Sequence, residues 1–159
     1  AAELGPHERL DQAGAFGENL STTGLTEDTV AIGDVFALGG AIIEVSQGRQ
    51  PCGKLNERFG LGDMARRVQV SGRTGWYYRV LQSGTVGPTD RLELIERQAP
   101  DWTIRRIWHC FYVDSLNRDE LQALASLPKL AESWRRYAQR RLETHAVEDW
   151  TARLSGPAG

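Results

Sequence analysis

Cys52 lies in the stretch Val45-Ser46-Gln47-Gly48-Arg49-Gln50-Pro51-Cys52-Gly53-Lys54-Leu55, with Arg49 before it and Lys54 after it. Two nearby cations favour the thiolate, the form of cysteine that acts as nucleophile or metal ligand. Pro51 fixes the backbone ahead of the thiol and Gly53 clears the space behind it, so a bulky ligand has room to approach. A small buried apolar side chain is the competing account of a free cysteine, and the residues alone leave both open. Cys110, beside Phe111 in an apolar helical stripe, reads as core. His7, His109 and His145 are scattered and lack zinc-ligand spacing. No Walker-type loop occurs, and Gly14-Ala15-Phe16-Gly17 is too short and wrongly placed for a dinucleotide fingerprint. Neither a serine triad nor an iron–sulfur centre can be assembled from these residues. Electrons for any redox chemistry must therefore come from elsewhere.

The elements that would carry this loop divide by composition. Residues 1–100 hold 15 of the 17 glycines and a net charge of −3, while residues 101–159 carry +1. A boundary falls near Gln98-Ala99-Pro100, giving a strand-rich domain over 1–100 and a helical domain over 101–159. Thr29–Ile32, Val35–Leu38 and Ala41–Gln47 read as strands, separated by Gly33-Asp34 and Gly39-Gly40. Trp76–Val86 and Arg91–Arg97 form another pair, with Tyr77 and Tyr78 on opposite faces. Between the two sets, Leu55–Val70 suggests a short helix broken by Gly60 and Gly62. Many short antiparallel strands predict a closed or nearly closed β-barrel.

Three helices are predicted behind the boundary. Ile104, Ile107, Trp108 and Phe111 share one stripe, and Asn117 with Glu120 forms a capping box. Pro128 opens the third helix, with Leu130, Trp134, Tyr137 and Leu142 on one side. Such short helices persist only if their apolar faces pack, with Trp102, Trp108 and Trp134 as core. The fold class is mainly β with α, a barrel followed by a three-helix unit.

Composition excludes several classes. With 40% hydrophobic and 25% charged residues, 19 basic and 21 acidic side chains, the 159-residue chain is ordinary for a globular protein. Its net charge of −2 argues against an unspecialised nucleic-acid or membrane-surface binder. Apolar runs are too short to span a membrane, and Ala1 to Gly14 lacks a secretory h-region. Two cysteines make no disulfide scaffold, so a cytoplasmic location is expected. Met64 is the only methionine, so a processed or cut start is expected.

Ordered motifs add a resemblance. Phe16-Gly17-Glu18-Asn19-Leu20-Ser21-Thr22, Gly24-Leu25-Thr26-Glu27, Gly33-Asp34, the Gln47–Leu55 stretch and Arg73-Thr74-Gly75-Trp76-Tyr77-Tyr78-Arg79-Val80-Leu81 resemble a MOSC domain. The similarity is greatest to the YiiM-like subfamily, linked to resistance against 6-N-hydroxylaminopurine, whose C-terminal three-helix domain matches Thr103–Trp150. The resemblance implies a β-barrel that binds molybdenum cofactor (molybdopterin), with Cys52 as the catalytic thiolate ligating molybdenum. It implies reduction of N-hydroxylated small molecules to amines, with a separate flavin reductase as electron donor. Arg49 and Lys54 would offset the charge of the pterin phosphate and dithiolene. Asn19, in the Glu-Asn-Leu motif, would hydrogen-bond the cofactor; a turn residue bonding its own backbone is the alternative.

Two departures accompany the resemblance. The family's N-terminal section, with a His-Gly-Gly stretch and a following arginine, has no counterpart, which leaves sheet edges that seek partners. Either the chain is a fragment or another polypeptide supplies those strands, and a homo-oligomer is among the expected states. Gly48 stands where the family has proline, which loosens the loop ahead of Cys52. Two rival functions remain. Cys52 could carry a persulfide in a sulfur-carrier or cofactor-delivery module. Nucleic acid could bind Arg135, Arg136, Arg140 and Arg141 on the third helix, although a solvated face paired with Glu132 and Glu143 accounts for them better.

Overall fold

Apolar residues alternating across Gly39-Gly40 produce a tight hairpin, the centre of the architecture in the computed structural model, which describes Leu4 and residues 6–156. Strand β1 (Val35–Leu38) pairs antiparallel with β2 (Ala41–Gly48), in register Phe36 to Ile43. Strand β3 (Trp76–Gln82) joins the far side of β2, and β4 (Leu92–Glu96) joins the far side of β1. The sheet is antiparallel in the order β3-β2-β1-β4.

The predicted barrel is therefore an open four-stranded sheet among the described residues, with β3 and β4 as its edges. One cross-sheet row shows the physical consequence. Val80, Ile43, Phe36 and Leu94 lie side by side in register. The central pair is buried, at 5% and 2% exposure, while Val80 and Leu94 at the edges are 60% and 45% exposed. Covering layers reach the middle of this apolar face and leave its margins open. Thr29–Ile32 is not a strand either. The Thr29 and Val30 N–H groups both donate to the Thr26 carbonyl at 3.0 Å, forming a turn. Ala31 makes only an isolated antiparallel bridge to Thr103. Val30, Ala31 and Ile32 are buried core without being ladder, and Thr29 is exposed.

Asp34 explains where the edge strand ends. Its fully buried carboxylate accepts the Ala31 N–H at 2.9 Å and both arms of the Arg97 guanidinium at 2.6 and 2.8 Å, just past β4. On β2, buried Glu44 lies between Arg79 at 2.6 Å and Lys129 at 3.0 Å. Such paired carboxylates fix register, since a lone buried charge costs several kcal/mol, roughly.

The chain packs as two compact units, one of residues 1–25, 50–74 and 148–159, the other of 26–49 and 75–147. The sheet belongs to the second unit, together with α3 (Ile104–Tyr112), α4 (Arg118–Ala125) and α5 (Glu132–Thr144), numbered after two helices of the first unit. Ile104, Ile107, Phe111, Leu121, Leu124 and Trp134 are buried as their spacing predicts, whereas Trp102 and Trp108 are half-buried. Arg106 stacks 4.1 Å from the Trp102 ring and Arg105 5.2 Å from Trp108.

Two helix-start expectations change. Asn117 caps α4 by accepting the Glu120 N–H at 3.2 Å, but the Glu120 carboxylate turns away to Arg106, so the box is half made. Pro128 lies in a turn ahead of α5. The Ala131 N–H donates to the Ser46 carbonyl at 2.8 Å, which holds the chain on β2 until Glu132. The four arginines of α5 also divide. Arg141 is buried, and Arg135 donates to the Ala125, Leu127 and Leu130 carbonyls. Arg136 and Arg140 remain exposed beside Ser133 and Tyr137, along a shallow concavity of α5.

The first unit is helical. Helix α1 (Lys54–Phe59) ends at Gly60, whose φ of +64° forms the left-handed cap, and α2 (Met64–Ser71) follows. This is the predicted break. Leu4, Ala15, Leu55, Phe59, Met64, Ala65 and Val68 form its core, with Leu10, Phe16, Leu61 and Leu154 packed against them. A short α6 (Thr151–Ser155), absent from the sequence expectations, completes it.

Candidate functional site

Cys52 is a free, half-buried thiol in the loop between β2 and α1. Its carbonyl accepts the Leu55 N–H at 2.9 Å, and the Gly53 carbonyl accepts the Asn56 N–H at 2.9 Å, so the loop runs directly into the helix. The loop is also gripped from α6. The Pro51 carbonyl accepts from Arg153 Nη1, and the Gly53 N–H donates to the Arg153 carbonyl at 2.8 Å. Gly156 packs so closely here that a Cβ on Gly53 would sit 2.3 Å from its N and Cα. Glycine at 53 thus makes room for protein backbone, rather than for a ligand as the sequence suggested.

Lys54, the first residue of α1, is exposed in the same unit as Cys52. Asn19, also exposed in this unit, follows a loop with its own clamp. The Glu18 carboxylate accepts the Gly14 N–H at 2.6 Å and the Phe16 N–H at 2.9 Å. Arg58, near the end of α1, donates to the Ala15 and Gly14 carbonyls, each at 2.6 Å. One short helix therefore bears on both the Cys52 loop and the segment leading to Asn19. Arg49 belongs to the sheet unit, where its N–H donates to the Gly75 carbonyl at 2.9 Å.

Arg153, Gly156 and Arg58 were not singled out by sequence reasoning. Arg153 and Gly156 lie in a tail about a hundred residues from the loop they hold, and no local spacing signals that return. Arg58 could have been found, since it flanks the face of α1 that buries Leu55 and Phe59.

Cys110 contrasts with Cys52. Its thiol is buried and donates to Glu120 Oε2 at 3.2 Å. Burial first, then the hydrogen bond to Glu120, pushes it up to about 12. The hydrogen bond from Arg106 lowers the pKa of the Glu120 carboxyl. A thiol reagent at neutral pH is therefore expected to label one cysteine per native chain, Cys52, and two after unfolding, as mass spectrometry would read. Because the folded pKa of Cys110 is raised, its contribution to stability is intact below pH 9.0 and lost as pH rises towards about 12. Cys110→Ala is expected to flatten that alkaline loss in thermal melts.

No group of three or more His, Cys, Asp or Glu side chains among the described residues could hold a metal alone. A metal at Cys52 must bring most of its ligands with it, and a dithiolene-bearing pterin does so. One accessible soft donor on a pinned backbone fits that group. Among the described residues no helix is long and apolar enough to cross a membrane.

Comparisons with known proteins agree with this geometry. The MOSC domain model matches residues 1–93, and the YiiM-like, 3-alpha helix domain model matches residues 102–145. Protein YiiM of Escherichia coli (strain K12) is 41% identical over 160 residues, covering 98% of this chain and 69% of that one. A Gibberella moniliformis protein named Reductase is 37% identical over 128 residues, 80% of this chain and 23% of that one. The crystal structure of YiiM from Escherichia coli superposes with a TM-score of 0.86 at 42% identity, covering 91% of this chain and 71% of that chain. With its sheet, its thiol loop and its trailing helices all accounted for in these matches, the chain belongs to the MOSC domain family and carries a YiiM-like three-helix domain.

Proposed function

We propose that this chain is a molybdenum-cofactor-dependent reductase that removes oxygen from N-hydroxylated purines or related compounds. The observation that carries the reading is the half-buried Cys52 thiol on a backbone pinned at both sides, in a MOSC family chain. The relative named Reductase supports an oxidoreductase role. Cys52 holds the molybdenum as thiolate. Lys54 and Arg49 offset the negative charge of phosphate and dithiolene, and Asn19 donates from its amide to the pterin. When bound, the cofactor supplies a two-electron couple able to accept an oxygen atom. Overall, R–NHOH plus two electrons and two protons yields R–NH2 and water, the electrons arriving from a separate flavin reductase. A cytoplasmic setting and self-association through the open sheet edges complete this reading.

The test is elemental analysis of the chain purified from a cofactor-competent host, followed by assay of 6-N-hydroxylaminopurine reduction with a flavin reductase. Close to one molybdenum per chain and turnover of the hydroxylamine are expected. Metal-free protein from a host that loads other molybdoenzymes overturns the proposal, and a persulfide on Cys52 in that sample identifies a sulfur carrier.

A further inference from the structure

We infer that Arg153 is a positioning residue for Cys52. The inference deepens the proposed function, because it names what aims the thiol on which that function rests.

A peptide bond is planar, so the direction in which a side chain leaves its Cα follows from the two peptide planes that meet there. For Cys52 these are the Pro51–Cys52 and Cys52–Gly53 planes. The first carries the Pro51 carbonyl, which accepts from Arg153 Nη1. The second carries the Gly53 N–H, which donates to the Arg153 carbonyl at 2.8 Å. A single residue thereby anchors both planes, one with its side chain and the other with its backbone. The Cα–Cβ bond of Cys52 is set, and rotation about χ1 is the freedom that remains.

Arg153 is itself held. Its Nη2 donates to Gln69 Oε1 on α2 at 2.6 Å, and its guanidinium lies 4.8 Å from the Trp150 ring. The next residue is tied as well, since Asn56 Nδ2 donates to the Leu154 carbonyl at 2.8 Å while Asn56 Oδ1 accepts the Ala65 N–H at 2.8 Å. Gly156 then closes on Gly53. Thus α6 is a brace whose planar fork spans the Pro51 carbonyl and α2, a geometry that lysine cannot reproduce with one ammonium.

The test measures alkylation of Cys52 by iodoacetamide on the full metal-free chain, with hydrogen exchange of the Gly53 amide read in parallel. Cys110 remains protected and serves as an internal reference. Arg153→Ala is expected to speed both alkylation and exchange by about fivefold or more, because local opening governs each. Arg153→Lys keeps a cation and one donor and is expected to restore part of the protection. His7→Ala is the comparison for general loosening, since His7 packs 5.0 Å from the ring of the core residue Phe59, at the end of α1 away from the Cys52 loop. It is expected to leave the Cys52 rate within about twofold of wild type. An unchanged or slower rate in Arg153→Ala, or an equal acceleration in His7→Ala, overturns the inference. Both readouts need no cofactor, so a failure of molybdenum binding leaves them standing and is recognised separately.

Discussion

Cys52→Ser is expected to leave the chain folded and to empty it of molybdenum. A hydroxyl is a hard, weakly acidic donor in place of a soft thiolate, and the other contacts proposed for the pterin are hydrogen bonds and charge pairs. Even supporting partners of a metal ligand contribute roughly 10- to 100-fold in affinity, so loss of the ligand itself is expected to cost on the order of 100-fold or more. Stability should change by no more than about 1 kcal/mol, because Cys52 is only half-buried and lies outside the packed cluster. Elemental analysis beside a thermal melt separates the two effects. Cys110→Ser serves as the reverse case, keeping its metal while losing stability in the helical unit. Undiminished molybdenum in Cys52→Ser would remove the thiolate from the proposed chemistry altogether.

The second large effect concerns a cation where none was expected. Arg141 is 1% exposed, with Nη1 donating to the Phe111 carbonyl at 3.0 Å and the Ser115 carbonyl at 3.2 Å. Its Cζ lies 4.8 Å from the Phe111 ring. The guanidinium therefore satisfies carbonyls released where α3 ends, where lone acceptors would cost about 1–3 kcal/mol each. Arg141→Ala also leaves the space of a long side chain unfilled, and the total loss is expected near 4 kcal/mol, roughly. For a chain of this size that corresponds to a fall in Tm of about 8–16 °C. Arg141→Met should recover part of the packing and none of the carbonyl pairing. A Tm within about 2 °C of wild type for Arg141→Ala would show that the helical unit does not depend on this bridge.

Arg141 also shows why the helical domain was only partly legible. Of the expected stripe Leu130, Trp134, Tyr137 and Leu142, the first two are buried and the last two half-buried, while the buried face of α5 runs through Trp134, Ala138 and Arg141. Charge outweighed position, and Arg141 was grouped with Arg135, Arg136 and Arg140 as a basic surface. The local signals fared better. Gly60 ended a helix, Gly39-Gly40 turned a hairpin, and Asn117 capped α4, because each depends on a few adjacent residues. Closure of the sheet was inferred from the number of strands, yet it depends on whether the two outermost strands meet a partner. The apolar run Val30-Ala31-Ile32 likewise signalled burial, which it has, and not a ladder, which it lacks. Cys52 could be singled out from its neighbours, whereas its brace could not. Local spacing carries no information about a hydrogen bond between residues 102 positions apart.

That separation along the chain imposes an order of events on synthesis. Cys52 leaves the ribosome before Arg153, which follows at the pace of translation, about 5–20 residues per second. For those seconds the nascent thiol loop has neither its guanidinium clamp nor the Gly156 backbone against Gly53. Helix α1 and the β1–β2 hairpin consist of short-range contacts and can form in that interval. The thiol reaches its final orientation only when α6 docks. Maturation of the site thus waits until translation has passed Arg153, and products terminated between the two positions display the cysteine without its aim.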